Sequence, residues 1–151
     1  MRAVIQRVSQ AAVKIENQEI AQINSGMLIL LGIKVDDSEK EADLLAKKTA
    51  NLRIFSDKMD KMNLSIVETG GQAIVVSQFT LYGNCKKGRR PSFVEAAPPE
   101  KADFLYQYYV KCLKDKGVTV QIGKFQAMMQ VNIVNEGPVT IILDSDELQN
   151  K

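Results

Sequence analysis

The chain opens on an alternation of positions. Ala3, Ile5 and Arg7 fall on one side and Val4, Gln6 and Val8 on the other, and Val13 and Ile15 then alternate with Lys14 and Glu16. Period-two patterning of this kind predicts strands. Asn17-Gln18 is a turn signal, and Ile20 and Ile23 continue the pattern beyond it. Gly26 introduces Met27-Leu28-Ile29-Leu30-Leu31, an unbroken apolar run expected to be a strand buried on both faces. The period then changes. Ser38-Glu39-Lys40-Glu41 fits a capping box, in which hydroxyl and carboxylate satisfy the free amides of a helix start. Ala42, Leu45, Thr49 and Leu52 follow at helical spacing. A short strand at Arg53-Ile54-Phe55, a charged loop from Asp57 to Lys61, and a Gly70-Gly71 turn lead into a strand over Ala73–Gln78.

A second helix starts at Pro98-Pro99-Glu100, where proline is tolerated and an acid complements the dipole. Its predicted apolar stripe is Phe104, Leu105, Tyr108, Tyr109, Cys112 and Leu113, and Lys114, Lys116 and Gly117 close it. Val118–Ile122, Gln130–Val134 and Val139–Leu143 read as the last three strands, and the polar tail from Asp144 to Lys151 as frayed. With no repeat, linker or low-complexity stretch, the pattern describes one mixed α/β domain dominated by sheet, with roughly eight strands and two main helices. The domain is placed at 1–145, with 146–151 as the tail.

Composition changes this picture little and charge changes it more. The 151 residues, 45 % apolar and 25 % charged, suit one soluble domain with a sizeable core. The longest apolar stretch, Met27–Ile33, is interrupted by Gly32 and falls far short of the ~20 residues of a bilayer span. The opening residues lack a signal pattern, so no membrane association and a cytoplasmic location are expected. Cys85 and Cys112 have no metal-ligand spacing, Cys112 reading as core and Cys85 as a polar-loop residue. The net charge is only +2, yet Lys86, Lys87, Arg89 and Arg90 fall within five residues. Such a loop holds phosphates beside a site, or is simply a solvated loop. There is no histidine. That removes Ser-His-Asp and Cys-His systems, histidine bases and histidine-ligated zinc together. No metal and no cofactor are expected.

Two short pieces remain, each at the end of a β-branched run. Ser77-Gln78-Phe79-Thr80-Leu81 follows Ala73–Val76, and Asn135-Glu136-Gly137-Pro138-Val139-Thr140 follows Val131–Val134. A strand fixes the backbone and a polar turn exposes it, which suits a site. Gly137-Pro138 reads either as an ordinary turn between two strands or as a corner that presents carbonyl oxygens with nothing covering them. The Thr80 hydroxyl has three readings: a nucleophile, a group that orients water, or a partner for the turn. A threonine without a base or an N-terminal amine is a poor nucleophile, which favours the last two.

Both pieces resemble the D-aminoacyl-tRNA deacylase family, which strips D-amino acids from mischarged tRNA. So do Met1–Val8, Asn51–Phe55, Lys61–Ser65 and Lys87-Gly88-Arg89-Arg90-Pro91-Ser92-Phe93, so that the likeness runs in one order from residue 1 to about 143. The resemblance implies a barrel-like, largely antiparallel sheet with helices packed outside, a homodimer with the active site at the subunit interface, and tRNA as the partner. It implies that Gly137-Pro138 is cis, enters the opposite subunit's site and rejects L-amino acids, leaving glycine accepted. Arg7 then holds that corner from behind. Gln78, Phe79 and Thr80 become the catalytic segment, with backbone amides near Gln78 and Phe79 polarising the ester, the tRNA's own 2′-hydroxyl assisting, and Ser77 serving the turn. Phe79 and Phe125 are candidates to stack on the terminal adenine, with Met129 covering it; core packing is the alternative for each. Lys86, Lys87, Arg89 and Arg90 would meet phosphates. The chain departs from the family after Phe125, with Gln126-Ala127-Met128-Met129 where Gly-Ala-Asp-Met is usual. From another class, a non-catalytic nucleic-acid-binding module of the same fold also fits the basic loop.

Overall fold

The computed structural model describes residues 1–149. Its elements in order are β1 (Arg2–Ile15), β2 (Gln18–Ile23), β3 (Gly26–Gly32), α1 (Glu39–Ala50), β4 (Phe55–Ser56), β5 (Met62–Leu64), α2 (Ile66–Thr69), β6 (Gln72–Ser77), α3 (Pro99–Asp115), β7 (Thr119–Ile122), β8 (Gln130–Asp144) and α4 (Ser145–Gln149), with a 3-10 helix over Phe79–Tyr82 between β6 and α3. The expected sheet-dominated α/β domain is present. Its strands divide into a six-stranded sheet, in the order β2-β1-β3-β6-β7 with β8 also on β1, and a separate β4-β5 hairpin.

β1 is the organising strand. Its first half lies between β3 and β8 and its second half between β2 and β8, all antiparallel. The other two pairs of this sheet, β3 with β6 and β6 with β7, are parallel, so the expected largely antiparallel sheet carries a parallel part. The cause is the two helices. α1 lies between β3 and β6 and α3 between β6 and β7, and a crossover through a helix returns the chain in the same direction. The sheet nearly closes on itself: the Gln121 side chain accepts from the Gln22 amide at 2.9 Å and donates to the Gln22 carbonyl at 2.6 Å, linking β2 to β7 as a ladder would.

Both faces of the central strands are buried, as the run from Met27 to Leu31 predicts. Met27, Ile29 and Leu31 of β3 and Ala73 and Val75 of β6 face α1 and α3, while Leu28, Ile74 and Val76 fill the barrel interior with Val8, Val13 and Ile23. Two hydrogen bonds fix the helices in place. Tyr106 Oη donates to the Val75 carbonyl at 2.8 Å, and Thr49 Oγ1 meets Tyr109 Oη at 2.9 Å. The capping box of α1 forms as expected, Ser38 Oγ accepting from the Lys40 amide and Glu41 from the Ser38 amide.

Three local expectations are corrected. The buried stripe of α3 is Ala102, Leu105, Tyr106, Tyr109, Val110, Cys112 and Leu113, whereas Phe104 is exposed and stacks on Tyr108. The segment from Asp144 to Gln149 is not frayed: Asp144 ends β8 in an ion pair with Arg2, and α4 follows with Ser145 buried. The rest of that tail lies outside the described residues. Finally, residues 130–134 and 139–143 are not two strands but parts of the single strand β8.

Gly26, the first residue of β3, faces Gln72, the first of β6. A Cβ there would stand 1.7 Å from the Gln72 carbonyl oxygen, so only glycine permits the approach. Gly26→Ala is expected to destabilise by about 3 kcal/mol, as severe overpacking does, lowering Tm by about 10 °C. A urea or thermal unfolding curve measures it.

Candidate active site

β6 ends where its parallel pairing with β3 runs out. The Gln78 amide still donates to the Leu31 carbonyl at 2.8 Å, and the chain then tightens into the 3-10 helix, Leu81 N–H returning to the Gln78 carbonyl at 3.2 Å and Gly83 N–H to the Thr80 carbonyl at 2.9 Å. Gly32 permits this, since a Cβ on it would lie 3.1 Å from the Gln78 carbonyl oxygen and 3.0 Å from Leu81 Cβ. The first amides of a helix have no partner within it. Those of Phe79 and Thr80 accordingly find no acceptor among the described residues, whereas that of Gln78 is taken by Leu31. The Gln78 side-chain amide donates to Thr80 Oγ1.

The far end of the turn is held by a residue that sequence reasoning missed. Arg2 donates through Nε and Nη2 to Asp144 at 2.9 and 2.8 Å, and through Nη1 to the Leu81 carbonyl at 3.0 Å, with its guanidinium 5.1 Å from the Tyr82 ring centre. Burial opposes ionisation of Asp144, but the hydrogen bonds from Arg2 and from the Asp146 amide, with the Arg2 charge, together hold the carboxyl below the usual carboxylate range.

This turn borders a cleft of about 750 Å³. Val76, Ser77, Gln78 and Phe79 line it, as do Phe125 to Met129 and Val131. Phe93, Ala96 and Ala97 lead to the start of α3, where Pro99 and Ala102 complete the lining. The lining includes Ser77, Gln78, Phe79, Phe125 and Met129 and carries no ionisable side chain. Phe125 packs a tilted face 6.3 Å from Tyr106, and Met129 lies against Gly123 with its thioether accepting from the Lys124 amide at 3.4 Å. Each packs against the core on one side and lines the cleft on the other. Thr80 stands exposed beside the lining.

The stretch after Phe125 forms a tight turn. Gln126 takes φ +60°, the left-handed conformation that glycine adopts freely, and Ala127 N–H returns to the Lys124 carbonyl at 3.2 Å. Met128 projects from the cleft mouth, 90 % exposed.

Gly137 and Pro138 do not line this cleft. They sit in a wide bulge of β8: Gln6 pairs with Thr140 and Val8 with Asn135, so Arg7 alone faces residues 136–139. Gly137 has φ +119°, the Gly137–Pro138 peptide is cis, and both residues are exposed. The bulge is clipped from within. Asn135 Nδ2 donates to the Val139 carbonyl at 3.0 Å and the Arg7 carbonyl at 2.9 Å. Arg7 braces it from behind, Nε donating to the Glu136 carbonyl at 3.3 Å and Nη1 to the Ile54 carbonyl at 2.7 Å. Asn135 stands in the recognised motif, so a signal for its role was available; Ile54 acts through its backbone and gave none.

Lys86, Lys87, Arg89 and Arg90 form an exposed loop whose base is closed by Asn84 and Ser92, their amides and carbonyls pairing at 2.7 and 2.9 Å. The next residue, Phe93, stands edge-on to Phe79 with ring centres 5.0 Å apart, so the basic loop springs from the cleft rim. Cys85 is exposed and Cys112 buried, as expected. Among the described residues no helix is long and apolar enough to cross a membrane.

A family model described as D-Tyr-tRNA(Tyr) deacylase matches residues 4–144. The chain is 56 % identical over 147 residues to a D-aminoacyl-tRNA deacylase of Clostridioides difficile (strain 630), covering 97 % of this chain and 99 % of that protein. It is 52 % identical over 148 residues to one of Thermotoga petrophila, covering 98 % and 99 %. Among solved structures it is similar to the c-Myc DNA Unwinding Element Binding Protein, with TM-score 0.89 and 38 % identity over 95 % of this chain and 98 % of that one. A probable eukaryotic D-amino acid tRNA deacylase shares 16 % identity at TM-score 0.83, over 94 % and 97 % of the two chains, a likeness of fold alone. By the reach of the family model and the identity of these relatives, the chain belongs to the D-Tyr-tRNA(Tyr) deacylase family.

Proposed function

We propose that the protein hydrolyses the ester that joins a D-amino acid to the 3′-terminal adenosine of tRNA, releasing both, and that it spares the L ester. The observation that carries this is the turn at the end of β6. Two unpartnered amides, those of Phe79 and Thr80, start a helix at the edge of a cleft with aromatic and thioether walls. An aminoacyl ester is already reactive, so it needs alignment and carbonyl polarisation more than a strong nucleophile. The Phe79 and Thr80 amides receive the charge that builds on the carbonyl oxygen as water adds. The bond to the ribose oxygen then breaks, and that oxygen takes a proton with the adenosine 2′-hydroxyl assisting. The Thr80 hydroxyl, accepting from Gln78, serves the turn and not the attack. Phe125 and Met129 flank the adenine, and the acceptor-stem phosphates meet Lys86, Lys87, Arg89 and Arg90.

Selectivity comes from exclusion. Gly137 and Pro138 of one copy enter the cleft of a second copy and leave room at the substrate α-carbon for hydrogen but not for an L side chain. Glycine, with no side chain, is consumed as well. Two features support a symmetric pair. The bulge and the cleft are separate within one chain, and β8 is a 15-residue edge strand with Ile133, Val134 and Ile142 exposed.

The test is the decay of D-Tyr-tRNA at catalytic enzyme. Rapid loss is expected, with most of the rate surviving in Thr80→Ala. An acyl-enzyme in the wild type, absent from an inactive Thr80→Ala, would overturn the role given to that hydroxyl. Because the lining has no ionisable side chain, the rate relative to uncatalysed hydrolysis of the same ester is expected to show no inflection between pH 6 and 8. Taking that ratio removes the titration of the substrate's own α-amino group.

The likeness to the c-Myc DNA Unwinding Element Binding Protein favours a second reading, a nucleic-acid-binding module without catalysis. Retention of tRNA with the D ester intact would support it.

A further inference from the structure

The cleft accounts for one nucleoside, yet the apolar surface at its mouth continues toward the basic loop. Phe93 lies on that path. It lines the cleft, is 37 % exposed, and is followed by Val94 at 81 %. Its ring is fixed edge-on against Phe79 and lies over Gly83, where a Cβ would stand 3.0 Å from Phe93 Cε1. On its other side the chain closes the loop that carries Lys86, Lys87, Arg89 and Arg90 through the Asn84–Ser92 pair. A rigid, partly exposed aromatic ring between a nucleoside cleft and a cationic loop is the arrangement that single-stranded nucleic acid requires. Cations track the backbone, and rings take successive bases by stacking.

We infer that Phe93 is a stacking platform for the base immediately preceding the ester-bearing adenosine, so that the protein takes an unpaired dinucleotide end and not one nucleoside. This rests on the reading of the cleft as an aminoacyl-adenosine site. The chain of the substrate leaves that site over the Phe79–Phe93 edge, lays its penultimate base on Phe93 and Val94, and delivers the next phosphates to the loop. Stacking tolerates any base, so the preference is for a stacked neighbour and not for a sequence.

The experiment compares two minimal substrates, a D-tyrosyl ester of adenosine and the same ester of the dinucleotide cytidylyl-adenosine, at moderate salt. The readout is the ratio of their kcat/KM values, in which any general damage to the cleft cancels. In the wild type the dinucleotide is expected to be favoured about tenfold to a hundredfold, the range that loss of one base–aromatic stack represents. Phe93→Ala is expected to bring the ratio to near one, and Phe93→Tyr to restore it. A wild-type ratio near one, or an unchanged ratio in Phe93→Ala, would overturn the assignment. So would equal falls in both kcat/KM values in Phe93→Ala, with the ratio kept, for D-tyrosyl but not for D-alanyl esters, since the ring would then be reading the amino acid. Hydrolysis of neither ester by the wild type would instead count against the reading of the cleft itself.

Discussion

Replacing Gly137 by alanine is expected to lower D-ester hydrolysis about a hundredfold while leaving the domain folded. The added Cβ would stand 2.9 Å from Val139 Cγ2 and 3.0 Å from Arg7 Nη2, in a backbone with φ +119° that L side chains rarely adopt. Relief requires that the bulge shift or that Arg7 release the Glu136 and Ile54 carbonyls. Both move the exposed corner by a distance on the order of 1 Å, and misplacement of that size costs about 10²-fold in an aligned reaction. The corner lies on the surface and not in the core, so Tm is expected to fall by only a few degrees. Measuring kcat/KM for D-Tyr-tRNA alongside a thermal melt separates the two effects. Full activity in Gly137→Ala would remove the corner from the site, and an unfolded variant would show the bulge to be structural.

The second large effect is expected from the basic loop. Neutralising Lys86, Lys87, Arg89 and Arg90 together to glutamine removes four exposed cations that the fold does not use in any ion pair among the described residues. Stability is therefore expected to stay within about 0.5 kcal/mol. Affinity for tRNA is expected to fall more than tenfold at physiological salt. The slope of log affinity against log salt should become shallower by about one for each phosphate that the loop no longer neutralises. The loss on a D-aminoacyl-adenosine, which has no stem phosphates, should be much smaller. An unchanged salt slope on tRNA would make the cluster a solvated loop and no more.

How much of this was legible beforehand depends on how local each feature is. The capping box at Ser38, the doubly buried run from Met27 to Leu31 and the segment at Ser77–Thr80 depend on neighbours a few residues away, and they stand where the pattern puts them. Strand partners do not. Ala73–Val76, buried without alternation, already had the character of a parallel strand, but nothing local says that β3 and β7 flank it. Gly137-Pro138 reads as a turn because both residues favour turns, and only β1 opposite shows that four residues bulge against Arg7 and pairing then resumes. On α3 the stripe slipped because residues 104 and 108 are large and apolar. Tyr106 and Val110 are buried by the sheet they meet, a tertiary choice. Arg2 escaped for a related reason: a side chain that holds a carbonyl many residues away leaves no periodic trace.

The central claim is chiral exclusion, and three esters test it in one assay: D-Tyr-tRNA, L-Tyr-tRNA and glycyl-tRNA carried through the same time course at limiting enzyme. The expected result is loss of the D and glycyl esters with the L ester intact. Comparable loss of the L ester, or survival of the glycyl ester beside a consumed D ester, would contradict it, because a site that works by excluding a side chain can do neither.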